Sequence, residues 1–317
     1  GTFIEFIPEK RISLNPFTFI KDFESSLAML KPLLAVMARP TGNTSDEETS
    51  FLEKALKAAW DEKRNDASIT TVANWLKGQN NGICRNLSDL LYTYTEDGMY
   101  GRYFEGPSNI DLDSFFVVLE LQELKSKKDL QKIILLVLMY QISEAMYLGS
   151  RSQIKSCVID EAWDLLGGEN DSAAKFIEVG YRTARRYKAN FVTITQSIND
   201  YFKNATSRAA LENSDYSIIL GQKPESIDQL KSSGRFNLTP FAERLFKSLR
   251  KTDDYSECII KDPAGMSVHR IIFDPYSRIL FSSKGDEFEA VNKLVAQGNS
   301  LRDSIEIVAR KFSHVRT

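Results

Sequence analysis

The sequence lacks the residues from which disulfide scaffolds and metal centres are built. Its cysteines (Cys84, Cys157 and Cys258) are odd in number, far apart and never arranged as a CxxC pair. Only two histidines are present, His269 and His314. We therefore expect free thiols in a reducing cytosol, and neither a disulfide framework nor a metal-ligating cluster.

Long apolar runs and an excess of one charge are lacking too. The most apolar stretch, residues 133–140, is followed by Gln141, Ser143 and Glu144, so it is too short to cross a bilayer and indicates a buried helix. No signal peptide opens the chain, and we expect no transmembrane segment and only peripheral membrane association. The net charge is -2. DNA binding through a local patch remains possible, but this charge does not support it.

The sequence contains no phosphate-binding loop of the form GxxxxGK(S/T). Residues 149–156 begin with glycine and end in Lys155-Ser156, but the second glycine before the lysine is missing. Any nucleotide site predicted from other motifs therefore has no phosphate cradle within these residues.

Residue patterns divide the chain into four parts. Residues 1–20 begin with a β-prone stretch, and residues 21–105 show the helical periodicity of an all-α insertion. Residues 106–255 alternate strands and helices, which predicts an α/β core with a parallel sheet covered by helices on both faces. Residues 256–317 read as an antiparallel β-meander followed by helices.

The predicted elements follow from these patterns. Strands of the α/β core are expected at residues 115–121, 154–160, 190–195 and 216–220. Its main helices are expected at residues 127–147 and 171–187. The meander is expected to use strands 256–260, 267–273 and 278–282, with closing helices at 286–296 and 301–312.

The strand predicted at residues 154–160 ends in the acidic pair, Asp160 and Glu161. Adjacent residues at a strand end point to opposite sides, so one carboxylate can face a metal while the other faces water. Asp160 would hold Mg²⁺ through water, and Glu161 would act as general base on the attacking water. An acidic residue that only caps the following helix is the alternative, and this stretch alone does not decide between them.

Gln196 follows the next predicted strand. Neighbouring parallel strands bring their carboxyl ends to one crevice, which would place this amide beside the acidic pair, where it can hold water or the γ-phosphate. Arg182, Arg185 and Arg186 share one face of the preceding predicted helix. Spacing alone favours a solvated helix end there, while an arginine finger for a neighbouring subunit is the alternative.

Several motifs together resemble the TraC group of conjugative ATPases, which is close to the VirB-type ATPases of type IV secretion. They are FIEF at 3–6, LNPF at 14–17, VLELQELK at 118–125, IDEAWDLL at 159–166, TARRY at 183–187, TQ at 195–196 and FDPYS at 273–277. Each motif is modest, but their order covers nearly the whole chain.

The resemblance implies a RecA-like P-loop NTPase fold that uses ATP and Mg²⁺. By the same resemblance Asp160 and Glu161 are the Walker B pair, Arg185 the motif arginine with Arg186 as its neighbouring candidate, and Gln196 the polar sensor. It also implies hexamers or other oligomers whose ATP hydrolysis drives pilus assembly and the transfer of DNA and protein. The expected location is the bacterial cytoplasm, peripheral at the inner membrane, with inner-membrane secretion components as partners.

The missing loop has two explanations: it precedes this chain, or the acidic pair is a coincidence. The resemblance favours the first, which implies that residues 1–317 alone are inactive. In such a fold the strand that carries the loop lies beside strand 190–195, so without it strand 190–195 has an open edge. We expect another segment, such as residues 2–7, or another chain to cover that edge. Two other functions stay open, namely a non-catalytic module that docks to the secretion channel and a DNA-translocating coupling protein.

Overall fold

A computed structural model describes residues 1–7, 9–40, 43–112, 114–148, 152–162, 171–203, 205–233, 239–252 and 254–313. The chain divides into two compact units, Gly1–Ile194 and Thr195–Thr317. Each unit has its own buried core.

The first unit contains the helical stretch that the periodicity predicts. Its helices are α1 (Phe23–Ala38), α2 (Asp46–Lys63), α3 (Ile69–Lys77) and α4 (Gly82–Leu91). Each begins after a polar residue whose side chain accepts a hydrogen bond from a backbone N–H of the first turn, as is usual for helix N-caps. These residues are Asp22, Ser45, Ser68 and Asn81. The apolar faces of the four helices pack into one core.

Asn15, in the LNPF motif, joins the start of the chain to this helical stretch. It is 1% exposed, and its Nδ2 donates to the carbonyl oxygens of Ala67 at 2.8 Å and Gly106 at 3.0 Å. Its Oδ1 accepts from the backbone N–H of Phe17 at 3.1 Å. All the hydrogen-bonding groups of this buried amide therefore have partners, which is the condition for burying it without a large loss of stability.

Parallel strand pairs alternate with helices in the rest of the first unit. Strand β1 (Thr2–Glu5) pairs with β2 (Val117–Glu120), and β3 (Lys155–Ile159) pairs with β4 (Ala189–Thr193). Helix α5 (Lys128–Leu148) connects the two pairs, and α6 (Asp171–Thr183) lies between β3 and β4. The predicted alternation is confirmed. The suggestion that residues 2–7 cover the open edge of β4 is wrong, because β1 pairs with β2 instead.

Among the described residues, helices cover only one face of the β3–β4 pair. The inner face packs Cys157 and Phe191 against Met146 of α5. Side chains on the other face remain exposed, including Val158 at 60% and Val192 at 41%. Within the described ranges, no helix is both long and apolar enough to span a membrane.

The second unit is built around an antiparallel sheet. Its strands are β5 (Ser217–Leu220), β6 (Ser256–Asp262) and β7 (Gly265–Ile271), in that order. Helices α7 (Ala205–Glu212), α8 (Pro224–Ser232) and α9 (Pro240–Ser248) precede β6. Side chains from one face of β5 and β6 pack with residues of α8 and α9 in one core. The sequence assigned β5 to the parallel sheet, which is wrong, because it pairs antiparallel with β6.

Helices rather than a third meander strand follow β7. They are α10 (Pro275–Leu280), α11 (Gly285–Ala296) and α12 (Leu301–Ser313). The strand predicted at residues 278–282 is wrong. Asp274 accepts hydrogen bonds from the N–H groups of Tyr276 and Ser277 and Pro275 occupies the first helical position, so the Asp-Pro sequence starts a helix and not a turn.

Glu287 is a buried carboxylate with two partners in this three-helix cluster. Its side chain is 4% exposed, Arg278 Nη1 lies 2.8 Å from its Oε1, and the Ser282 hydroxyl donates to its Oε2. Burial raises the pKa of Glu287, but the hydrogen bonds from Ser282 and Arg278 lower it more, so the pKa lies below its ordinary value of 4.5. A depressed pKa contributes stability above the unfolded-state value that is lost as the pH falls.

We therefore expect thermal unfolding of the 317-residue chain to shift to lower temperature as the pH falls below 4.5. In Glu287→Gln this part of the pH dependence should disappear, while stability at neutral pH should be lower than in the wild type. Circular dichroism melts across the pH range measure both. The same pH dependence in the two proteins would contradict the assignment.

Gly180 lets α6 lie directly on β4. A Cβ at this position would lie 2.5–2.7 Å from three ring atoms of Phe191. That ring cannot move aside easily, because it is buried against Phe176 and Tyr181. Gly180→Ala should therefore lower the free energy of unfolding by about 1–3 kcal/mol, although alanine is the better helix former. Gly285→Ala, where a Cβ meets nothing within 4 Å, is the control and should not destabilise. Urea denaturation that shows no loss in Gly180→Ala would contradict the packing.

Candidate active site

The acidic pair directly follows the carboxyl end of β3. The residues on either side of it form backbone hydrogen bonds with the same residue, Ile194, which follows β4. The N–H of Ile194 donates to the carbonyl oxygen of Ile159 at 2.9 Å, and the N–H of Ala162 donates to the carbonyl oxygen of Ile194 at 2.9 Å. Asp160 and Glu161 lie between these two bonds along the chain. Their backbone is therefore fixed on both sides by the end of β4.

Glu161 has a left-handed backbone conformation with φ of +52°. For a residue other than glycine this conformation costs on the order of 1–3 kcal/mol, and it persists only where the surroundings enforce it. Here the N–H of Glu161 donates to Asp160 Oδ1 at 2.9 Å, and the next residue, Ala162, is held by Ile194. Such strain concentrates at functional sites, so its occurrence at a carboxylate predicted to be the general base supports a chemical role.

The donor set suits a hard cation that is held by few protein ligands. Asp160 is exposed and Glu161 partly exposed, so solvent and ligands can reach both. Groups of three or more acidic, histidine or cysteine side chains close enough to bind a metal are absent from the described part of the chain. Mg²⁺ in phosphoryl-transfer sites is usually held by one or two carboxylates, waters and the phosphates of the substrate. The residues present fit that kind of site.

The two strand ends that the sequence predicts to converge do so. Ile159 and Thr193 are partners in the parallel register, so β3 and β4 end at the same edge. Gln196 lies three residues beyond Thr193, in the second unit, and is exposed. Its placement beside the acidic pair stays a prediction.

The arginines lie at the opposite end of the strands. Arg185 and Arg186 belong to a 3-10 helix, Ala184–Tyr187, that leads into β4. At the start of the pair, the N–H of Lys155 donates to the carbonyl oxygen of Lys188 at 3.1 Å. Four strand steps of about 3.3 Å, roughly 13 Å, separate this end from the end that carries the acidic pair. Within one chain, therefore, the arginines and the acidic pair do not form one site.

The arginines differ in their contacts. Arg182, in α6, forms an ion pair with Glu178 at 2.9 Å. Arg185 and Arg186 are exposed, and neither has an ion pair with the residues that the structure describes. Because α6 ends at Thr183, the three arginines do not share one α-helical face as the spacing suggested. Arg185 and Arg186 are thus the two available to an external anion.

One contact at this strand pair was not foreseen from the sequence. The hydroxyl of Tyr181 lies 2.9 Å from Thr193 Oγ1 and accepts a hydrogen bond from the Thr193 N–H at 3.2 Å. A tyrosine on a helix gives no sequence signal for such a contact, because its partner depends on how the helix packs. Burial raises the pKa of the Cys157 thiol, on the same face, to about 11, which disfavours the thiolate form that a nucleophile needs.

Parallel strands joined by helices, with an acidic pair at their carboxyl ends, are typical of α/β proteins that bind a ligand at this edge of the sheet. The chain matches the TraG P-loop domain family over residues 1–312 and belongs to that family. This finding confirms the α/β fold class and places the chain among the P-loop ATPases of conjugation and type IV secretion.

Individual relatives are similar to the chain to different extents. The chain is 33% identical to protein TraC of Escherichia coli strain K12 over 326 residues, which are 97% of this chain and 37% of TraC. It resembles the structure of VirB4 of Thermoanaerobacter pseudethanolicus with a TM-score of 0.65 and 17% identity, over 91% of this chain and 78% of that one. The plasmid coupling protein TrwB in complex with ADP and Mg²⁺ is more distant, with a TM-score of 0.47, 12% identity, and coverage of 85% and 66%.

The family match and the identity to TraC confirm the resemblance to the TraC group that the motifs indicate. The chain nevertheless spans little more than a third of the length of TraC, 37%. The similarity to VirB4, at 17% identity, concerns the fold.

Proposed function

We propose that this chain supplies the Walker B side of a Mg²⁺-dependent ATPase that works in conjugation or type IV secretion. The observation that carries the proposal is the acidic pair, with Glu161 held in a left-handed conformation at the carboxyl end of two paired parallel strands. A positive φ also occurs at Arg64 and Lys188, which end helices, so the place of the pair at the carboxyl end of a parallel strand is what favours the catalytic interpretation. Hydrolysis by the Glu161→Gln variant of the full-length gene product is the test, described in the Discussion.

The two carboxylates have different roles in this proposal. Asp160, exposed at the strand end, holds Mg²⁺ through water, and the ion neutralises charge on the phosphates. Glu161 accepts the proton of the attacking water as general base. Gln196 orients that water or the γ-phosphate. The resemblance of the TQ motif at 195–196 to the TraC group supports this role.

Arg185 and Arg186 act on the nucleotide of a neighbouring subunit. Their position at the other end of the strands excludes a shared site in one chain, and their guanidinium groups have no ion-pair partner among the described residues. This arrangement requires a homo-oligomer, for which a hexamer is the expected form. If the role is correct, inactive Glu161→Gln subunits should restore partial hydrolysis when they are mixed with Arg185→Ala/Arg186→Ala subunits. Mixing that restores no hydrolysis would contradict it.

The 317 residues alone are proposed not to hydrolyse ATP, because no GxxxxGK(S/T) loop is present to bind the phosphates. Sustained hydrolysis by the isolated chain would contradict this. In the cell, the similarity to TraC supports a role in pilus assembly and in DNA and protein transfer, at the cytoplasmic face of the inner membrane and together with other secretion components. Fractionation of cells with and without those components tests the location, and a wholly cytosolic protein in both would contradict it.

A further inference from the structure

The acidic pair interrupts the regular hydrogen-bond ladder between β3 and β4. In a parallel ladder, a residue donates its N–H to one residue of the neighbouring strand and accepts at its carbonyl oxygen the N–H of the second residue after that one. Ile194 donates to the carbonyl oxygen of Ile159, so a regular ladder would return the N–H of Glu161 to Ile194. The N–H that the Ile194 carbonyl oxygen accepts is instead that of Ala162, at 2.9 Å. The segment therefore contains one residue more than the ladder pairs.

Glu161 is the extra residue. Its N–H donates to Asp160 Oδ1 at 2.9 Å and not to the ladder, and its φ is +52°. One extra residue in the left-handed conformation is the pattern of a G1-type β-bulge, in which glycine usually takes this position. The positive φ of Arg64 and Lys188 has another cause, because these residues end helices, where such a conformation is common.

The bulge changes how the two carboxylates are arranged. In an unbroken strand, neighbouring side chains point to opposite faces. An extra residue breaks this alternation, bends the strand and re-aims the side chain that it carries, and such bulges are frequent beside active sites. The angle between the side chains of Asp160 and Glu161 is therefore set by the bulge and not by the pleat of a regular strand.

The bulge depends on which N–H reaches the Ile194 carbonyl oxygen. If the N–H of Glu161 took this oxygen, the strand end would become regular. The N–H of Ala162 occupies it, and Ala162 is 0% exposed, so water cannot replace the oxygen as its acceptor. These groups lie between β3 and β4, which are already paired, so the contact does not involve the outer edge of either strand.

We propose that Ala162 is a positioning residue for hydrolysis. Its backbone N–H occupies the Ile194 carbonyl oxygen and thereby keeps Glu161 in the bulge, with the general base aimed at the phosphate whose Mg²⁺ is held by Asp160. Ala162 itself touches neither water nor phosphate in this role. The inference rests on the proposed ATPase function.

Replacement of Ala162 by lactic acid in the full-length gene product tests the proposal. Lactic acid keeps the methyl group but places an ester oxygen where the N–H was, so the Ile194 carbonyl oxygen becomes free for the N–H of Glu161. Groups that orient a metal-binding residue from outside typically change activity by about 10- to 100-fold when they are removed. We expect kcat to fall by about that factor while KM for ATP stays the same. An unchanged kcat, or a change in KM alone, would overturn the proposal.

Two controls separate the N–H from other effects of the change. Ala264 donates its N–H to Asp262 Oδ1 at 2.8 Å in the turn between β6 and β7, so lactic acid at this position removes a comparable bond and should leave kcat unchanged. Ala162→Gly keeps the N–H, removes only the buried methyl group, and should keep kcat near the wild-type value. A loss in Ala162→Gly as large as that with lactic acid would assign the effect to the methyl group and overturn the proposal.

A double replacement shows whether Ala162 acts through Glu161. In the Glu161→Gln background, lactic acid at position 162 should cause no further loss of the residual turnover, because residues that act as a unit are not additive. A further loss by the same factor as in the wild type would show an independent role and overturn the proposal.

A crystal structure of the full-length gene product with lactic acid in place of Ala162 separates this inference from the proposed function. We expect the N–H of Glu161 to donate to the Ile194 carbonyl oxygen within about 3.2 Å and the φ of Glu161 to be negative. A bulge that persists would overturn the positioning role even if kcat fell. If instead the ATPase function is wrong, Glu161→Gln leaves hydrolysis intact, whereas the loss of the bulge still reports on Ala162.

Discussion

The full-length gene product with Glu161→Gln should bind ATP as well as the wild type and hydrolyse it about 10²- to 10⁴-fold more slowly. The amide of glutamine is close in size to the carboxylate and can keep the same backbone conformation at φ +52°, but it cannot accept the proton of the attacking water. Asp160 remains in place to hold Mg²⁺. Steady-state hydrolysis and equilibrium nucleotide binding, measured on the same preparation, distinguish the chemical step from binding.

Glu62→Gln is the matched control for this substitution. Glu62 is an exposed residue of α2, so the same chemical change there should leave hydrolysis at the wild-type rate. Wild-type turnover in Glu161→Gln would remove the catalytic interpretation of the acidic pair. Loss of nucleotide binding together with turnover would instead assign Glu161 to binding.

Asn15→Asp should destabilise the 317-residue chain by about 3–5 kcal/mol. Asn15 Nδ2 donates to the carbonyl oxygens of Ala67 and Gly106 at 2.8 and 3.0 Å, in a place where the residue is 1% exposed. In the variant a carboxylate oxygen would face two carbonyl oxygens, so both hydrogen bonds would become repulsive contacts and a charge would be buried. Urea denaturation monitored by circular dichroism measures the loss.

Asn190→Asp is the control, because it replaces the same amide by a carboxylate at an exposed position. Asn190 is exposed on β4, and its Oδ1 accepts from the Ser156 hydroxyl at 2.6 Å, a bond that aspartate can keep. Its effect should stay within about 0.5 kcal/mol. Equal effects of the two substitutions would show that the LNPF motif does not stabilise the fold through Asn15.

Much of the fold could be predicted because the signals are local. The apolar run at 154–160 predicts one strand, and the helical periodicity of residues 21–105 predicts a series of helices. Each signal lies within a single element, and the structure confirms both. The error at 278–282 arose because Asp274-Pro275 suits a turn as well as a helix start. The pairing of β5 was misjudged for a different reason, since strand partners are chosen by contacts distant in sequence and not by the strand itself.

In the candidate site, too, the local features could be predicted, and the features that depend on distant contacts could not. The acidic pair was predictable because carboxylates at a strand end are visible in sequence. The left-handed backbone of Glu161 was not, since it depends on the bonds that Ile194 makes on both sides of the pair, and the bond from Tyr181 to Thr193 was not, since it depends on the packing of α6 on β4. That Arg185 and Arg186 lie at the other end of the strands follows from topology, because a helix that leads into a strand must end at the strand's amino end.

The central claim is that the carboxyl ends of β3 and β4 carry a Mg²⁺–ATP site. The most direct measurement is a crystal structure of the full-length gene product with Mg²⁺ and a non-hydrolysable ATP analogue. We expect the Asp160 carboxylate about 4–5 Å from the ion with one water between them, and Glu161 facing the γ-phosphate. A metal and phosphates bound at the other end of the strands, beside Lys155 and Arg185, would contradict it.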